Sequence, residues 1–148
     1  MPLTNKFKFR LLDWGLRATA NPTNFYLFLA TSAAAVVADT NTKSELTEVA
    51  SGNGYTTGGV SLTPGATDFD VLTEDDTNDR AFIQLKDIVW TASGGNLPSG
   101  SGARYAVLTD DNATQGSREV YAGFDLVSDR VVSDTQTLTL QNCEIRIA

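Results

Sequence analysis

Ala81-Phe-Ile-Gln-Leu-Lys-Asp-Ile-Val-Trp90 is the stretch that decides the fold. It is dense in β-branched and aromatic residues. A polar loop of Asp75, Asp76, Asn78 and Asp79 precedes it, and Gly94-Gly95 follows it closely. An apolar run of this length between turn signals reads as a strand. Phe82 and Ile83 are adjacent apolar residues, which breaks strict alternation. The expectation is therefore a bulge, or a segment buried on both faces.

The same punctuation recurs outward from this segment. Downstream, Arg104–Thr109 is a strand closed by Asp110-Asp111-Asn112, and Glu119–Val127 alternates through Val120, Ala122, Phe124 and Leu126. Leu138, Leu140, Ile145 and Ile147 mark one or two terminal strands. Upstream, Phe25–Ala30 reads as a strand buried on both faces, Val60–Leu62 as a short strand, and Asp68–Val71 as a short edge pairing. Pro64-Gly65 supplies a turn, and the glycines of 52–59 fit turn and bulge geometry. Ala33–Ala38 fits either a helix or a tight loop. Seven or eight strands with regular turns predict a mainly β, single-domain sandwich or jelly-roll-like barrel over residues 1–148. No helical pattern separates the strands, so a βαβ fold is not expected.

One helix is expected. Phe7, Leu11 and Trp14 follow i, i+4, i+7 spacing, with Leu12 and Leu16 widening the stripe over about residues 6–17. Phe7, Phe9 and Leu11 also alternate, which keeps a strand in competition, and Asn21-Pro22 ends the element. Residues 1–22 thus form an N-terminal segment, either a docking arm or a helix covering one end of the sandwich. Its basic and aromatic residues, Lys6, Lys8, Arg10 and Arg17 with Phe7, Phe9 and Trp14, contrast in sign with the rest of the chain. Phe7, Phe9, Arg10, Trp14 and Arg17 are the candidate contact residues.

Bulk composition sets limits on function. The 148 residues carry a net charge of −7, which disfavours nucleic acid and anionic lipid as partners. A chain of this size builds a core without disulfides or metal. The lone cysteine, Cys143, sits in an apolar tail and reads as a buried small hydrophobe. Charges interrupt the N-terminus, so no signal-peptide layout is read there, and the apolar stretch 25–38 is shorter than a membrane helix.

Histidine is absent, so neither a Ser-His-Asp nor a Cys-His arrangement can be assembled, nor a common Cys/His zinc site. Paired carboxylates remain the route to hydrolysis, with Glu45, Glu48, Glu74, Asp75, Asp76, Asp110, Asp111 and Glu119 as candidates. Most fall in polar loops, where solvent holds a carboxylate near its ordinary pKa. Trp14, Trp90, Tyr55 and Tyr105 could stack on sugar rings, although aromatics beside strand residues usually belong to a core. The Asp-rich loops lack the spacing of a helix–loop–helix calcium site. Asn112-Ala-Thr114 is a glycosylation acceptor only in a secretory setting. No enzyme activity and no cofactor are expected.

Several segments, in order, carry a resemblance. They are Tyr26-Leu-Phe-Leu29, Glu48-Val-Ala-Ser-Gly-Asn-Gly-Tyr-Thr-Thr-Gly-Gly-Val-Ser-Leu62, Asp87-Ile-Val-Trp-Thr-Ala-Ser-Gly-Gly95, Arg104-Tyr-Ala-Val-Leu108 and Gln136-Thr-Leu-Thr-Leu140. With the apolar N-terminal element, the layout from about Leu12 to Ile147 resembles structural proteins of tailed-phage virions, namely capsid decoration, head-fibre and tail-fibre proteins. Gly58-Gly59 and the acidic loop 68–79 depart from that pattern. The resemblance implies a capsid decoration or cement protein. It would be made in the host bacterial cytoplasm, lie on the capsid exterior, bind the major capsid protein and self-associate, with a trimer among the arrangements. A tail-fibre or baseplate component is the alternative, followed by a carbohydrate-binding module.

Overall fold

A computed structural model describes residues 3–148. It is mainly β: one helix, α1 (Asn5–Arg17), precedes nine antiparallel strands. These are β1 (Phe25–Ala30), β2 (Val60–Leu62), β3 (Val71–Asp75), β4 (Arg80–Gln84), β5 (Ile88–Thr91), β6 (Ala103–Thr109), β7 (Val120–Arg130), β8 (Thr137–Leu140) and β9 (Glu144–Ile147). The large sheet has the order β2-β1-β6-β7; β3-β4-β9 and β5-β8 form two smaller sheets. The result is a small single-domain β-sandwich-like fold.

The segment 81–90 is where sequence and structure part most clearly. It is not one strand with a bulge but two strands in two different sheets, β4 and β5, separated by Leu85, Lys86 and Asp87. The partner chain segment breaks at the same level. β4 pairs with β9 and β5 with β8, and Gln141–Cys143 lies between those two partners. One backbone hydrogen bond, Leu85 N–H to Cys143 C=O at 2.9 Å, joins the two corners. Both corner side chains point inward, Leu85 fully buried and Cys143 nearly so. Lys86 turns outward and pairs with Asp68, whose carboxylate also accepts the Thr63 N–H. No bulge occurs at Phe82–Ile83, where β4 pairs regularly with both neighbours; the break lies beyond it at 85–87, where the whole ribbon bends. That bend lets one antiparallel ribbon cover the large sheet from two directions.

The large sheet is buried on both faces, so its central strands carry apolar residues at consecutive positions. On one face, Leu27 and Leu29 of β1 and Ala106 and Leu108 of β6 join a core shared with α1 and both small sheets. On the other, Phe28, Ala30 and Val107 meet Val36 and Leu46. Of the two forms open to residues 33–38, a helix or a tight loop, the chain takes the loop, which roofs the second face. Two glycines allow that close approach. A Cβ on Gly123 of β7 would lie 2.6 Å from the Val36 Cβ, and a Cβ on Gly59 (φ +77°) would run into the Leu27 carbonyl.

A buried polar chain pins the roof. Lys43 Nζ pairs with Glu48 at 2.6 Å, donates to Gln115 Oε1 at 2.8 Å and lies 5.1 Å from the Phe28 ring centroid. Glu48 Oε1 accepts from the Tyr55 hydroxyl (2.7 Å) and the Gly58 N–H (2.6 Å), while the same hydroxyl accepts from the Leu29 N–H of β1 (3.0 Å). Burial and the neighbouring Glu48 push the Tyr55 phenol well above its usual range. Every buried side-chain polar atom among the described residues has a partner.

Two smaller corrections concern β3. The expected edge pairing at Asp68–Val71 is displaced to Val71–Asp75, and Asp76–Asp79 becomes the tip of the β3–β4 hairpin. Its turn is held by Asp75, which accepts from Asn78 Nδ2 at 2.8 Å and Arg80 Nε at 2.8 Å.

Candidate interaction surface

Thr4 starts α1: its hydroxyl accepts the Phe7 N–H at 3.1 Å and donates to the Val120 C=O of β7 at 2.6 Å. One side chain thus caps the helix and ties it to the large sheet. The helix stops at Arg17, four residues before Asn21-Pro22, because Ala18 turns left-handed (φ 56°) and its N–H closes on Asp13 C=O.

The five candidate contact residues divide between two faces of α1. Phe7 is buried, its ring centroid 5.0 Å from Tyr121 and 6.1 Å from Trp14. Trp14 is half-buried and meets Phe25 and Tyr121 edge-on. Arg10 forms a two-pronged ion pair with Glu119, Nε–Oε2 at 2.7 Å and Nη2–Oε1 at 2.8 Å. Lys6 adds a 3.7 Å contact and the Tyr121 hydroxyl a 3.3 Å hydrogen bond to Glu119. The Arg10 hydrogen bond holds the Glu119 carboxyl below its usual range. Phe7, Arg10 and Trp14 therefore fasten the helix to its own sandwich. Of the five, Phe9 (54% exposed) and Arg17 face outward.

The outward face is apolar nonetheless. Leu12 is 61% exposed and Leu16 81%, and with Phe9 they make an i, i+3, i+7 row. At roughly 100° per residue that row centres about 170° around the helix from the buried Phe7–Leu11–Trp14 row, on the opposite side. Leu12 and Leu16 do not widen the buried stripe, as their spacing first implied; they begin a second one. Lys8 and Arg17 flank it, both exposed; Arg17 Nε lies 3.9 Å from the Asp13 carboxylate, whereas Lys8 makes no ion pair among the described residues.

On its inner side α1 borders a cleft of about 500 Å³. Its walls are Phe7, Leu11 and Trp14 from the helix, Phe25 and Phe69, and the apolar face of the β3-β4-β9 sheet. The register places Leu72, Ile83 and Ile145 side by side on that face, with Glu74, Ala81 and Ile147 in the next row. Ile145 is buried at the base, whereas Leu72 (77%) and Ile147 (48%) stand exposed at the mouth. Ala81 and Ile147 also border a second groove at the hairpin tip, lined by Glu74, Asp76, Asp79 and the Asp75–Arg80 ion pair. Sequence reading missed Leu72 and the cleft, because the strand was set three residues too early.

Several of the other chemical candidates are occupied structurally, whereas Glu74 and Asp76 line the open groove at the hairpin tip. Trp90 and Tyr55 belong to the core, leaving no exposed ring there for a sugar to stack on. Glu48 and Glu119 are held by Lys43 and Arg10. Asp110 accepts the Glu119 N–H at 2.9 Å, with its carboxyl raised by burial, and Asp111 accepts the Asn24 N–H at 3.0 Å. No cluster of three or more metal-ligating side chains occurs among the described residues. No helix among them is long and apolar enough to cross a membrane. No protein-family model, curated protein or solved structure matches the chain.

Proposed function

We propose that this chain is a non-enzymatic structural subunit of a tailed-phage particle, most simply a capsid decoration or cement protein. The observation that carries the reading is the helix that is apolar on two opposite sides. One side completes the core, and the other, Phe9–Leu12–Leu16, offers water a contiguous row of large side chains. Such a row on a rigid scaffold is a protein-contact surface. The order of segments that resembles virion proteins supplies the setting. A cement subunit asks for modest individual contacts, which repetition over a lattice makes collectively strong.

Mixing the purified protein with undecorated capsids and pelleting them tests this. Co-pelleting that saturates at a fixed ratio to the capsid protein is expected. Protein left in the supernatant at every concentration, together with antibody label at the tail of intact virions, would move the assignment to a tail-fibre or baseplate component.

A further inference from the structure

We propose that the outer face of α1 docks, head to tail, on the mouth of the apolar cleft of a second copy of this chain. The inference rests on reading that face as a protein contact, not on the capsid location. Two unsatisfied surfaces lie on one molecule and are opposite in both shape and charge. The first is a ridge, Phe9, Leu12 and Leu16, flanked by the cations Lys8 and Arg17. The second is a hollow of about 500 Å³ that exposes Leu72 and Ile147 and is continued, past Ala81 and Ile147, by a groove lined by Glu74, Asp76 and Asp79 beside the Asp75–Arg80 ion pair.

The charge contrast is local. Helix α1 holds four basic residues and one acidic one in a chain of net charge −7, and the hairpin tip concentrates acids. Within one copy Arg10 and Lys6 are spent on Glu119, while Lys8 makes no ion pair among the described residues and Arg17 keeps only a long 3.9 Å contact with Asp13 and stays exposed. An acidic partner with an apolar hollow is what the ridge requires, and this chain carries one. A small apolar molecule is the weaker occupant, because the cleft wall offers almost no polar group to orient one. Ridge and hollow are different surfaces, so the contact is heterologous and generates a closed ring or an open chain rather than a two-fold pair.

Sedimentation velocity of the purified protein over a concentration series, without capsids, tests the proposal. Wild type self-associates. Leu16→Glu damages only the ridge and Leu72→Glu only the hollow. Both positions are more than three-quarters exposed, and unchanged circular-dichroism melts will certify the folds. Each variant alone should lose at least about tenfold in association constant, the range of an interface anchor. Mixed together they should form a discrete dimer, the intact ridge of one on the intact hollow of the other. The double substitution Lys8→Glu/Arg17→Glu should weaken assembly, and adding Glu74→Lys/Asp76→Lys should restore it.

Wild type that stays monomeric across the series overturns the proposal. So does self-association that survives Leu72→Glu, which would indicate ridge-on-ridge pairing, and so does a mixture that gives no dimer. A monomer that still co-pellets with capsids sinks this inference while leaving the proposed function standing. A ring or chain that fails to co-pellet does the reverse.

Discussion

Leu85→Ala and Leu72→Ala make the same chemical change thirteen residues apart, and the structure predicts very different costs. Leu85 is fully buried at the corner where β4 hands over to β5. Its truncation removes buried apolar surface and leaves a void. The void cannot close easily, because the Leu85 N–H is tied to Cys143 C=O and the facing strands are themselves paired. Poorly collapsing Leu→Ala sites lie in the upper part of the range of about 2–5 kcal/mol, so about 3–4 kcal/mol is expected here. For a domain of this size that lowers Tm by roughly 6–16 °C. Leu72 is 77% exposed, and its truncation should stay within about 0.5 kcal/mol. Urea unfolding followed by tryptophan fluorescence reads both, with Trp90 reporting from the same core. An unchanged slope against denaturant would show that stability alone has moved. A Leu85→Ala cost below about 1 kcal/mol, or equal costs at the two sites, would refute the bent-ribbon account and return 81–90 to a single strand.

Three further outcomes follow from the packing and the electrostatics. Gly123→Ala should destabilise by about 1–3 kcal/mol through collision with Val36, and the double variant Gly123→Ala/Val36→Ala should cost less than the sum of the two single changes; additivity would mean the roof loop does not sit on β7. Arg10 depresses the Glu119 pKa in the folded state, so this group's stabilisation is present above its unfolded pKa and is lost as pH falls through the lower folded value. Glu119→Gln should therefore flatten the acid limb of the stability curve below about pH 4.5, whereas identical acid limbs would show that the pair does not form. Burial raises the Cys143 thiol to about 11, so a thiol reagent at neutral pH should label it at the rate of unfolding and rapidly in denaturant; fast labelling of the native protein would place it outside the core.

The sequence by itself determined the class and much of the element list. Turn residues at short intervals and apolar runs fit only for strands dictated a mainly β chain, and β1, β2 and β6 lie within a residue of where their side chains placed them. The 3.6-residue period of Phe7, Leu11 and Trp14 marked α1 and its buried face for the same reason: a local repeat records which side of an element meets the core.

What the tertiary structure decided is what depends on partners distant in sequence. Whether 81–90 runs on as one strand or bends at 85–87 depends on the matching break at Gln141–Cys143, more than fifty residues away, and no local pattern contains both. Lys43 and Glu48 look like loop charges until Phe28, Tyr55 and Gln115 close around them. The candidate surface shows the division most sharply. Arg10 and Arg17 are equivalent as letters in a basic helix, yet Glu119 claims the first at 2.7 Å and leaves the second exposed, with only a 3.9 Å contact to Asp13. Leu12 and Leu16 fit the buried stripe by composition, but a helix resting on a single sheet can bury only one side, and the sheet chose the side of Phe7.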